Sequence, residues 1–98
     1  MNKKESGLIN FQEFLGEQLK DPEFKKYYNR YNIRFQVGFQ ISLLRKKKKM
    51  SQAALAKKIG TKQSNIARME AGDQNFSINT LQKIAQVFNK DLKVSFGK

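Results

Sequence analysis

The sequence predicts an all-α domain, and three observations carry that reading. Apolar residues recur at helical spacing in one segment after another, as in Phe11, Phe14, Leu15 and Leu19, then Val37, Ile41 and Leu44, then Ile78, Leu81, Ile84, Ala85 and Phe88. Helix start signals stand in front of the later stripes, at Asp21-Pro22-Glu23, Ser51 and Ser77. A single segment, Leu92-Lys93-Val94-Ser95-Phe96, alternates apolar and polar residues with the period of a strand.

Taken in order, residues 1–7 read as an unstructured tip, and the stripe from Phe11 to Leu19 as a short amphipathic helix. Asp21 then caps a second helix. Pro22 occupies its first position, where a backbone N–H has no partner to lose, and Glu23 suits the positive end of the dipole. Phe24, Tyr27, Tyr28 and Tyr31 give this helix an aromatic stripe. With no proline or turn cluster ahead, it runs on through Ile33 and Phe35 to the lysines at 46–49. Gly38 weakens it by about 1 kcal/mol relative to Ala without ending it.

Ser51 caps a helix over Gln52–Ile59, with Leu55, Ala56 and Ile59 inward, and Gly60-Thr61 ends it. Gln63–Glu70 forms the next helix, with Ile66 and Met69 inward, and Gly72, Asp73 and Asn75 mark a loop. Ser77 caps the last helix, Asn89 closes it, and Leu92–Phe96 is expected as a short strand. A lone strand leaves both edges open, so Leu92, Val94 and Phe96 are expected to pair with a second copy and make a homodimer. The chain divides into an N-terminal helical extension over 1–32 and a second unit over 33–98.

Composition narrows the chemistry. There is no cysteine, no histidine and no tryptophan among 98 residues, and the formal charge is +12. A disulfide framework and a thiolate nucleophile are excluded, and the usual zinc ligands and the commonest general base are missing. With eight carboxylates in all, an enzyme is disfavoured, and neither metal nor cofactor is expected. The positive charge exceeds the magnitude of about 2–8 that keeps a small domain soluble, which points to a polyanionic partner. It is also unevenly placed. Residues 1–30 carry six basic and five acidic side chains, whereas Arg34–Arg68 carries ten basic and no acidic ones. No apolar run is long enough to span a bilayer and the N-terminus lacks the apolar stretch of a signal peptide, so a cytoplasmic protein without a membrane partner is expected.

Two short helices joined by a glycine turn and flanked by two more form a helix-turn-helix arrangement. The second of the pair, Gln63–Glu70, has the makings of a recognition helix, because it buries Ile66 and Met69 and offers Gln63, Ser64, Asn65 and Arg68 on its other side. Gln63 suits adenine and Arg68 guanine, each bidentate pair discriminating by about 1–3 kcal/mol. Asn65 suits adenine or a phosphate. Gln52, beside the free N–H groups at the start of its helix, suits a phosphate. Lys62 and Lys46, Lys47, Lys48 and Lys49 add affinity that ignores sequence and falls with salt. The plain alternative for these positions is a solvated helix face.

The stretch from Ser51 to Glu70 closely resembles the Cro/phage-repressor (XRE-type) helix-turn-helix family, in the Ser-Gln opening, Leu55-Ala56, Ile59-Gly60, and Gln63, Ser64, Ile66 and Glu70. The resemblance spans Val37 to Phe88. It implies a repressor of double-stranded DNA with a palindromic operator, and a structural pair between Arg45 and Glu70. Two departures stand out. Lys49 falls where the family usually has glycine, which forces a positive φ at a cost of about 1 kcal/mol. Asp73 falls where a basic phosphate contact is common, so that loop is expected to touch DNA less, or by backbone only.

The run from Gln52 to Phe96 resembles HipB-type antitoxins, and Asp21-Pro22-Glu23-Phe24 ahead of such a domain resembles the layout of HigA-type antitoxins. Together they imply a type II antitoxin that neutralises a toxin and represses its own operon. A free-standing phage or mobile-element regulator is the alternative, as is, in another class, a protein- or RNA-interaction module. Phe11, Phe14, Leu15, Tyr27, Tyr28 and Tyr31 offer anchors for a protein partner, or else cover the domain's own core.

Overall fold

The computed structural model of the protein describes residues 11–97, and within them the chain forms five helices: α1 (Phe11–Gln18), α2 (Pro22–Lys47), α3 (Gln52–Ile59), α4 (Gln63–Glu70) and α5 (Ile78–Val87). The tip at residues 1–7 lies outside the described residues. Three helices begin at the side-chain caps expected. Asp21 accepts from the Glu23 N–H, Ser51 from the Ala54 N–H and Ser77 from the Thr80 N–H, each at 3.0 Å. These bonds satisfy amides that the first helical turn leaves without partners. α4 starts differently, at Lys62, with no side-chain cap.

The ends of α2 to α5 share one device, a residue at positive φ followed by an N–H reaching back five residues. Met50 bonds Arg45 O across Lys49, Thr61 bonds Ala56 O across Gly60, Asp73 bonds Arg68 O across Gly72, and Lys90 bonds Ala85 O across Asn89. Glycine and asparagine suit that geometry. Lys49, at φ 55°, does not, and so carries the strain that its place in the sequence implies.

α2 is continuous from Pro22 to Lys47 except at Tyr31, whose backbone (φ −123°, ψ 31°) leaves the helical region. The boundary expected after residue 32 falls within α2. Beyond it the helix joins the core, where Ile41 meets Leu55, Ile59, Ile66, Ile84 and Phe88, with Leu55 and Ile66 fully buried. α3 packs against both α4 and α5, and α2 crosses α4 at Gly38. A Cβ at Gly38 would overlap the Met69 carbonyl oxygen, so glycine is what allows the two backbones to meet.

The expected strand is a correction. Leu92, Val94 and Phe96 lie in a segment, Asp91–Gly97, that forms no strand within the described residues. Alternation of side chains prepares a segment for a sheet, but a strand exists only when a neighbour completes the ladder, and no second strand stands beside it among the described residues. Val94 is 64% and Phe96 98% exposed.

Candidate nucleic-acid interface

The amphipathic pattern of α4 decides which side chains face outward. Ile66 and Met69 are buried beneath it, while Gln63, Ser64 and Arg68 are exposed. Asn65 is half-buried, and its amide donates to Thr61 Oγ1 at 2.7 Å, four residues back. Part of its hydrogen-bonding capacity is therefore spent on bracing the turn before α4. Lys62 is exposed at the start of this helix, and Lys46–Lys49 are exposed at the end of α2.

Behind α4 lies a chain of polar contacts. The Arg45 guanidinium grips Glu70 with two bonds, Nε to Oε2 at 2.7 Å and Nη2 to Oε1 at 2.9 Å, and gives a third to the Met50 carbonyl at 2.8 Å. The hydrogen bond to Glu70 raises the guanidinium pKa above its ordinary value, against the opposing effect of desolvation. Gln52 donates to the same Glu70 Oε1 at 3.0 Å, and its own carbonyl accepts from the Gln63 amide at 3.4 Å. Four side chains from α2, α3 and α4 thus form one line, running from the covered Arg45 to the exposed Gln63.

The sequence identified the Arg45–Glu70 pair through the family resemblance, but it assigned Gln52 only to phosphate. Half-buried Gln52 is also the link between Glu70 and Gln63. Nothing local could have revealed that, since Gln52 and Glu70 stand 18 residues apart. The Thr61–Asn65 bond was within reach, because i and i+4 positions meet around a helix start.

The N-terminal half of α2 covers the loop that follows α4. Phe35 packs with Phe24, Tyr27 and Tyr28, with ring centroids 5.1–5.6 Å apart, and against Gly72, where a Cβ would fall 2.6 Å from its ring. Tyr27 donates to Asp73 at 3.0 Å, and Arg34, lying 4.0 Å over the Tyr31 ring, donates to Asn75. Desolvation and the bond to Asp73 both raise the Tyr27 phenol pKa. Asp73, expected to keep the loop off DNA, is occupied here by Tyr27. Of the proposed partner anchors, Tyr27, Tyr28 and Tyr31 are engaged in this cluster, and Leu15 is buried. The Phe11 and Phe14 side chains lie outside the described residues.

On another face, α2, α5 and residues 91–95 enclose an open groove of about 900 Å³. Ile33 and Ile78 lie along it, 64% and 59% exposed. No described helix is long and apolar enough to cross a membrane. Among the described residues, no group of three His, Cys, Asp or Glu side chains is placed to hold a metal ion.

The helix-turn-helix family model matches residues 41–94, which takes in α3, α4 and α5. A solved structure of a HipB variant in complex with the O2 20-mer superposes with a TM-score of 0.56 at 32% identity, covering 66% of this chain and 90% of that one. No curated protein matches the chain. The match extends over more than half the sequence, and the buried and exposed faces of α4 agree with it. The chain belongs to the Cro/phage-repressor (XRE-type) helix-turn-helix family and is a DNA-binding regulator.

Proposed function

We propose that this chain is a homodimeric repressor that reads a palindromic operator through α4, and that it is the antitoxin of a type II toxin–antitoxin operon which it autoregulates. The observation that carries the DNA reading is α4 itself. Gln63, Ser64 and Arg68 are exposed on a helix whose other face is anchored in the core, with Arg68 suited to guanine and Gln63 to adenine. Exposed Lys46–Lys49 and Lys62 flank it as phosphate contacts, and Gln52 stands at the start of α3 for the same role.

A palindromic site calls for a two-fold protein, with recognition helices about 34 Å apart. The apolar groove with exposed Ile33 and Ile78, next to the uncovered Val94 and Phe96, supports dimerisation on that face. Leu92–Phe96 would find its missing ladder partner in the second copy. The antitoxin assignment is supported by likeness to a HipB complex. The engagement of Tyr27, Tyr28 and Tyr31 within the chain favours the second reading, a free-standing regulator without a toxin.

Binding of the full chain to the DNA upstream of its own reading frame tests the repressor. Gln63→Ala and Arg68→Ala are expected to reduce the preference for that DNA over random sequence, and undiminished discrimination in both variants sinks the assignment of α4. Deletion of residues 92–96 is expected to shift sedimentation toward monomer. Co-purification with the product of the adjacent reading frame, expressed from the native operon, decides between antitoxin and free-standing regulator.

A further inference from the structure

The loop that leaves α4 has no cation of its own. From Met69 to Gln82 there is neither lysine nor arginine, and the only charged side chains are two carboxylates, Glu70 and Asp73. Glu70 is covered and gripped by Arg45, whereas Asp73 is exposed. A helix that fills the major groove stands between two walls of phosphate, and the segment leaving it passes one of them. That segment stays close to α4 here, since the Asp73 N–H bonds Arg68 O at 2.9 Å. A bare carboxylate in this place repels the polyanion that the rest of a +12 chain attracts.

α2 offsets the carboxylate from outside the loop. Tyr27 donates to Asp73 at 3.0 Å, and two turns further along α2 the Arg34 guanidinium reaches the same loop at Asn75. It lies 4.0 Å over the Tyr31 ring, which itself stands 4.8 Å from that of Tyr27. The ring beneath and the amide beside it hold the cation at exposed Asn75, two residues from Asp73. A guanidinium is always charged and carries five N–H donors, of which Asn75 takes one. A planar fork with donors to spare, ordered before DNA arrives, suits a phosphate.

We propose that Arg34 is a phosphate-contacting residue, carried by α2 to the rim of the α4–α5 loop, where it supplies the cation that the loop lacks. The inference rests on the reading of α4 given above. Arg34 precedes the family-matched residues 41–94, so the contact is an addition that the N-terminal half of α2 makes to the DNA-binding domain.

The test measures binding of the full chain across a salt series, on the duplex it selects from a randomised pool and on random duplex. Arg34→Gln, its folding checked by thermal melting, is expected to lower the slope of log affinity against log salt by about one. It is expected to weaken binding about equally on the two duplexes, because a phosphate carries no sequence information. Arg34→Lys restores the charge and with it the slope. Replacement of single phosphates by uncharged methylphosphonates then locates the contact, as a phosphate that matters to the unaltered chain and not to Arg34→Gln.

If Arg34→Gln does not fold, Arg34→Met, which keeps the stem against Tyr31 without the charge, is read in its place. An unchanged slope, or the same sensitive phosphates in both proteins, leaves Arg34 as a brace between α2 and the loop and overturns the proposal. A slope lowered in Lys62→Ala but not in the Arg34 variant removes the role of Arg34 alone. Binding by the unaltered chain that does not depend on salt removes the DNA reading, and Arg34 falls with it.

Discussion

Arg45 and Glu70, 25 residues apart in sequence, meet at 2.7 Å with side chains only 11% and 8% exposed, and they tie the end of α2 to the last turn of α4. Removing one member of a covered ion pair leaves the other desolvated and without its partner, which costs about 3–5 kcal/mol. Arg45→Met is expected to destabilise the fold by about that amount in urea titration. The double replacement Arg45→Met with Glu70→Met is expected to recover most of the loss, because two apolar side chains leave no uncompensated charge. A double variant as unstable as the single one would refute this account of the pair.

Gly38 is the point at which α2 and α4 touch backbone to backbone. A Cβ there would overlap the Met69 carbonyl oxygen and lie 3.0 Å from that of Glu70, and neither can move without disturbing α4. Gly38→Ala is expected to lower stability by about 2–3 kcal/mol or more, despite the better helix propensity of alanine. Chemical denaturation checks the sign, since propensity alone predicts a gain.

Lys49 offers the opposite case. Its φ of 55° is strained for a side chain with a Cβ, and glycine relieves that strain. Lys49→Gly is expected to raise stability by about 0.5–1 kcal/mol, seen as a higher denaturation midpoint at unchanged slope. Lys49→Ala removes the same charge but keeps the Cβ, so it separates conformation from electrostatics. A gain equal to that of glycine would assign the effect to charge.

Tyr27 connects stability to alkaline pH. Its phenol ionises near pH 10 in an unfolded chain and higher in the folded one, because desolvation and the bond to Asp73 disfavour the phenolate. Its stabilising contribution is full below about pH 10 and is lost as pH rises through the raised folded value. Tyr27→Phe is expected to flatten that part of the stability curve relative to the unaltered chain. The difference between the two curves is the measurement.

The basic surface makes a prediction about binding. Each lysine on a phosphate releases a counterion, so log affinity falls linearly with log salt. Lys62→Ala is expected to reduce the slope by about one and to weaken binding about equally across sequences. A changed base preference with an unchanged slope would move Lys62 from the backbone to the bases.

The sequence by itself determined the helices and the family. Caps and helix ends are decided within a few residues, and so Asp21, Ser51, Gly60 and Ser77 were legible together with the positive φ at Lys49. The faces of α4 were legible for the same reason, since a period of 3.6 separates Ile66 and Met69 from Gln63 and Arg68.

Tertiary structure decided what depends on contacts distant in sequence. Leu92–Phe96 alternates like a strand yet forms none within the described residues, because a ladder needs a second backbone and alternation supplies only side chains. The aromatic stripe of α2 read equally as a docking surface or as cover. Its engagement with Phe35, Asp73 and the loop after α4 became visible only in the packed chain, where residues 46 positions apart meet. Glu70 was legible as half of a pair but not as an acceptor for Gln52, since that contact needs α2, α3 and α4 packed against one another. Local rules write the elements, while a hydrogen-bonded series is settled only when distant side chains are buried side by side.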